Sequence, residues 1–98
     1  MEVKKTVEDG KTVICLIGEV DSANVAEFEA ALKKAVAGET EVVLDLAELE
    51  YVSSAGLRVF LMLQKMFGSR HNLTLINVNE EVADIFKVTG FSRLLNIK

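Results

Sequence analysis

Two adjacent hydroxyls, Ser53 and Ser54, stand between the Val- and Leu-rich run Val42-Val43-Leu44-Asp45-Leu46 and an apolar stretch that starts at Leu57. A strand that feeds a turn opening directly into a helix puts such hydroxyls over backbone N–H groups that no intrahelical carbonyl reaches. Those N–H groups and the positive end of the helix macrodipole favour negative charge, so a phosphate on either serine would be well held there. The same position suits a plain N-cap, because a serine Oγ accepts from the N–H groups of the first turn. Capping and modification are compatible uses of one turn.

Other chemistries find less to build on. A serine hydrolase needs a base for its serine, and the chain has one histidine, His71, in the polar stretch Gly68-Ser69-Arg70-His71-Asn72. The turn also lacks the Gly-x-Ser-x-Gly elbow. His71 reads as a solvated loop residue, and one His with one Cys does not make a zinc site. Asp45, at the end of a strand, reads as a turn or cap former with no second acid at a recognisable spacing. Gly18, Gly56 and Gly90 are scattered and form no phosphate-cradling loop, so no cofactor is called for. The chain is expected to be a binding protein, not an enzyme.

Ninety-eight residues, 50% of them hydrophobic, support a single core, and residues 1–98 read as one domain. Proline is absent and no low-complexity tract or repeat interrupts the sequence. Eleven basic against fifteen acidic residues give a net charge of −4, and no Lys/Arg run exceeds two, so a direct nucleic-acid partner is not expected. The single Cys15 lies in Val13-Ile14-Cys15-Leu16-Ile17 and suits a core position in a reducing compartment. No segment approaches the roughly 18–20 apolar residues of a membrane span, and Met1-Glu2-Val3-Lys4-Lys5 leads into no apolar signal region. The expected location is the cytoplasm, without membrane insertion.

The elements that would position the serines follow from periodicity. Glu2 to Val7 and Thr12 to Ile17 flank Glu8-Asp9-Gly10-Lys11 as a hairpin. Asp21-Ser22 can cap a helix in which Val25, Phe28, Leu32 and Ala35 or Val36 recur at helical spacing until Gly38. Glu41 to Leu46 reads as an interior strand buried on both faces. Leu57 to Phe67 is helical and ends at Gly68, and Leu73 to Val78 is a further strand. A helix from about Glu80 to Val88 turns Val82, Ile85, Phe86 and Thr89 inward and stops at Gly90. Leu94, Leu95 and Ile97 then return to the core. The alternation predicts an α/β fold with a mixed, mostly parallel sheet, an opening hairpin and right-handed crossovers.

The helix after the serines is apolar nearly all round, with only Arg58, Gln64 and Lys65 polar between Leu57 and Phe67. Such a helix needs partners on more than one side. It lies between sheet and neighbouring helices, or it turns Leu57, Phe60, Leu61, Gln64 and Phe67 inward and leaves Val59, Met62 and Met66 as an exposed strip beside Arg58 and Lys65. The second arrangement is typical of a protein-binding surface.

Over its whole length the chain resembles the STAS domain family, and within it the bacterial anti-sigma factor antagonists. The resemblance is carried by the opening hairpin, Gly18-Glu19-Val20-Asp21, the strand ending Leu44-Asp45-Leu46, the turn from Tyr51 to Leu57, and the closing Val88-Thr89-Gly90-Phe91. In phosphorylated antagonists the similar turn reads aromatic, aliphatic, Asp, Ser, Ser or Thr, Gly, Leu. Laid through Gly56-Leu57, the acidic position falls at Ser53, the phosphorylated serine at Ser54 and the second hydroxyl at Ala55. The resemblance also implies that Asp21 lies close to this turn. It implies a partner, an anti-sigma factor with a histidine-kinase-like ATPase fold, that is bound by the unmodified domain and phosphorylates it, and a phosphatase that resets it. Arg58, Val59, Met62 and Met66 are the expected partner-binding residues. Ser53 replaces the usual Asp, which fits an alternative use as a non-phosphorylated STAS subunit of a transporter or signalling complex.

Overall fold

The computed structural model describes residues 1–98 apart from the side chain of Arg70. The opening segment is the hairpin its turn sequence requires: β1 (Glu2–Glu8) pairs antiparallel with β2 (Lys11–Val20). Asp9 and Gly10 take φ of 53° and 77°, the two left-handed residues that match a hairpin turn to the twist of its strands. From there helix and strand alternate: α1 (Val25–Val36), β3 (Val42–Val52), α2 (Ser54–Phe67), β4 (Leu73–Ile76), α3 (Glu80–Thr89) and β5 (Asn96–Ile97). The sheet order is β1-β2-β3-β4-β5, and every pairing after the hairpin is parallel.

Each crossover steps the same way along this sheet, and crossovers of one hand then put α1, α2 and α3 on one face. Burial follows that rule except at Val13, which is buried on the other face. Ile14 and Leu16 of β2, Val42, Leu44 and Leu46 of β3, and Leu73 and Leu75 of β4 are buried under the helices, while Cys15, Val43, Asp45, Thr74 and Ile76 between them are half-buried on the open face. The expectation of a β3 buried on both faces is therefore corrected. Val43 is apolar without being covered, and density of Val and Leu alone cannot tell a strand with one covered face from one with two.

β3 also runs six residues past the expected end, through the polar stretch Ala47 to Glu50, to Val52. It accommodates that stretch by two register shifts against β2, between Cys15 and Ile17 and between Gly18 and Glu19. Such bulges leave extra residues unpaired, and here Asp45 Oδ1 accepts from the Ala47 N–H at 3.0 Å and from Asn77 Nδ2 at 3.1 Å. β4 stops at Ile76, two residues short of expectation, because Asn77 enters the left-handed region at φ 57°.

Phe28 of α1, Phe60 of α2 and Phe86 of α3 form a ladder across the three helices, with ring centroids 5.9 and 5.8 Å apart. Leu32, Val36, Leu57, Leu63, Val82 and Leu95 fill the space around it. Thr89 and Leu94 do not join this core. Thr89 is exposed and its hydroxyl donates back to the Ile85 carbonyl at 2.7 Å, and Leu94 is 47% exposed after the 3₁₀ turn Phe91–Arg93.

Candidate functional site

Parallel strands followed by helices bring the C-terminal ends of β2 and β3 and the N-termini of α1 and α2 to the same edge of the sheet. Val20 pairs with Val52, and the Ser53 N–H donates to the Val20 carbonyl at 2.8 Å, so the serine turn is clamped to the residue before Asp21. Gly56 makes the clamp tight. A Cβ at this position would stand 2.8 Å from Val20 Cγ1 and 2.9 Å from Val52 Cγ1, closer than side-chain contacts allow, so only glycine lets α2 settle on the strand ends.

The backbone separates the two serines. Ser53, at φ −79° and ψ 171°, is outside the helix as its N-cap, and its Oγ accepts from the Gly56 N–H at 3.3 Å. Ser54 is the first helical residue, is exposed, and its hydroxyl has no hydrogen-bond partner among the described residues. The N–H groups of Ser54 and Ala55 remain free of intrahelical acceptors, as the first turn of any helix leaves them. An anion on Ser54 would meet both the free N–H groups and the positive helix end.

Asp21 follows Val20, whose carbonyl accepts from the Ser53 N–H, but does not cap α1 in the expected way. The N-cap of α1 is Asn24, whose side chain makes no cap hydrogen bond. Asp21 Oδ1 accepts from the N–H groups of Ala23 and Asn24 at 2.9 and 3.1 Å, and the Asp21 N–H donates to Asn24 Oδ1 at 2.9 Å. Asn24 Nδ2 then reaches the Glu19 carbonyl at 2.8 Å. This clasp closes the β2–α1 loop on itself and fixes the Asp21 carboxylate within it. The spacing Asp21-x-x-Asn24 was the available signal, and Asp21-Ser22 distracted from it. Asn79 does a similar job at α3, capping the Val82 N–H at 2.8 Å while its Nδ2 donates to the Leu49 carbonyl at 2.8 Å.

On α2 the expected exposed strip is only partly present. Val59 is 3% exposed and belongs to the core, which corrects its place among the partner-facing residues. Met62 is half-buried against the core, Met66 is 55% exposed, and Arg58 and Lys65 are exposed. Leu61 and Phe67, expected inward, are half-buried. Met62 and Arg58 line a shallow groove between α1 and α2 with Val25, Ala26, Glu29 and Ala55, and a second depression next to it continues to Lys65 and Met66. The apolar floor with a cationic rim thus begins at the serine turn. α1's share in it was not foreseen.

The remaining candidates stay apart from this edge. His71 is exposed in the 3₁₀ turn Arg70–Asn72. Cys15 is half-buried on the open sheet face, where burial, and after it the nearby Asp45 charge, pushes its thiol above the usual range. That leaves it a weak nucleophile at neutral pH. Among the described residues no group of His, Cys, Asp and Glu is placed to hold a metal, and no helix is long and apolar enough to cross a membrane.

A family model described as "Mlab, STAS domain" matches residues 3–96. The chain belongs to the STAS domain family. It is 44% identical to BtrV of Bordetella bronchiseptica, named as an anti-sigma factor antagonist, over 85% of this chain and 73% of that protein. It is 31% identical to the anti-sigma-B factor antagonist of Listeria monocytogenes over 87% of this chain and 76% of the relative. Its fold is that of solved antagonists. The structure of an anti-sigma factor antagonist from Mycobacterium paratuberculosis superposes with a TM-score of 0.86 at 21% identity, over 98% of this chain and 83% of that one. Unphosphorylated SpoIIAA gives 0.75 at 19% identity, over 99% and 88%. The five-stranded mixed sheet with its helices on one face is thus the architecture it shares with these solved antagonists.

Proposed function

We propose that this STAS domain is an anti-sigma factor antagonist that acts in the cytoplasm and is switched off by phosphorylation of Ser54. The observation that carries the reading is the division of labour in the turn: Ser53 caps α2, which leaves the Ser54 hydroxyl exposed and uncommitted at the helix end. The unmodified domain binds an anti-sigma factor and so frees a sigma factor. The partner, a serine kinase with an ATPase fold, then transfers the γ-phosphoryl of ATP to Ser54 Oγ; the hydroxyl proton passes to a base of the kinase and ADP leaves. A phosphatase hydrolyses the phosphoester and resets the switch. The domain itself does no chemistry.

The docking surface is the groove that starts at Ala55 and runs past Arg58 and Met62 to Met66. Unmodified, its rim is cationic and fits acidic groups on the partner; phosphorylation adds about −1.5 to −2 charges at its head, which the helix N–H groups accept and such a partner does not. A titration with the anti-sigma factor tests this. Ser54→Ala keeps the affinity, and Ser54→Asp weakens it roughly tenfold or more, since a like charge against the partner costs at least about 1.4 kcal/mol. Equal affinities for the two variants would contradict the switch and favour a second reading, suggested by Ser53 in place of the family's Asp. In that reading the domain is a non-phosphorylated STAS subunit of a transporter or signalling complex, using the same groove.

A further inference from the structure

Arg58 occupies the position four residues after Ser54 on α2, one helical turn along the same exposed face. Helical side chains lean toward the N-terminus, so the surface that Arg58 covers is the turn containing Ser54. Arg58 makes no ion pair among the described residues. Glu29, which lines the same groove, is engaged with Lys33 at 3.4 Å. A guanidinium without an ion pair thus stands one helical turn from an exposed hydroxyl that has no partner of its own. The same guanidinium borders both depressions of the α1–α2 groove.

We propose that Arg58 is the internal reader of Ser54 phosphorylation: the phosphoserine draws the guanidinium back over the first turn into a bidentate pair and takes that cation off the docking groove. Arginine suits this because its planar fork matches two phosphate oxygens, whereas a lysine would present a point charge. Modification then acts twice on the groove, adding an anion at its head and withdrawing a cation from its rim. The proposal rests on the antagonist reading only for its consequence; the pairing itself is a property of this chain.

The test therefore installs phosphoserine at position 54 during translation, so that no kinase is needed, and follows its phosphorus resonance against pH. The second phosphate pKa, ordinarily near 6, should lie about half a unit lower in the native sequence than in Arg58→Gln, with Arg58→Lys between them. The helix N–H groups, Asp21 and Glu29 are common to all three proteins and cancel in the comparison. The Arg58 Nε–H proton should also shift downfield on phosphorylation. Coincident titration curves for the three proteins would overturn the pairing while leaving the antagonist reading intact. Failure of a partner kinase to modify Ser54 would overturn that reading and leave the pairing standing or falling on the phosphorus titration.

Discussion

Ser53 keeps an extended backbone while Ser54 is already helical, and this single step in dihedral angle decides which hydroxyl caps and which is free. The sequence shows two equivalent hydroxyls before a helix; their roles differ because the first Gly56 N–H contact closes a ring only from the residue outside the helix. Ser53→Ala should therefore cost about 0.5–2 kcal/mol of stability, as cap removal does. Ser54→Ala should stay within about 0.5 kcal/mol, since its hydroxyl has nothing to lose. Urea midpoints at constant slope measure both. A larger loss for Ser54→Ala than for Ser53→Ala would reverse the assignment of the two residues. The hydroxyl pair and its glycine were legible because a strand, a turn and a helix leave few other conformations; the Asp21–Asn24 clasp was not, because three neighbouring residues there can all act as caps.

At the scale of the element, α2 shows why periodicity alone stops short. A helix that is apolar nearly all round has no single inner face in its sequence, and the face that is buried is decided by its neighbours. Here α1 packs close enough for Phe28 to meet Phe60, which carries Val59 into the core and leaves Met66 outside. The Met and Arg positions were legible as surface only because one of them lies at the helix end and the other is charged. Replacing Met66 by Glu should leave stability within about 0.5 kcal/mol, and Met62→Glu should show an intermediate loss, as its half-buried position implies. Phe60→Glu should fail to fold, because an unpaired carboxylate at the centre of the ladder costs several kcal/mol out of a typical total of about 5–15. Thermal melts on the three variants give the ranking. A melting temperature for Met66→Glu as low as that of Phe60→Glu would remove Met66 from the surface.

The whole molecule is a sheet covered on one side, and that shape follows from strands laid down in order with crossovers of one hand. The order and the hairpin were legible from the alternation of patterns. The uncovered face was not, because Val43 and Ile76 there are as apolar as the buried residues beside them. The same topology collects the N-termini of the helices at one edge, and at α2 that edge presents an uncommitted hydroxyl followed by an apolar groove bordered by Arg58. The central claim is that this hydroxyl is the switch. Incubation of the purified domain with its anti-sigma factor kinase and ATP, followed by peptide mass mapping, tests it most directly. The account predicts a single phosphate on Ser54 and none on Ser53; modification confined to Ser53, or none at all by a kinase that binds the domain, would contradict it.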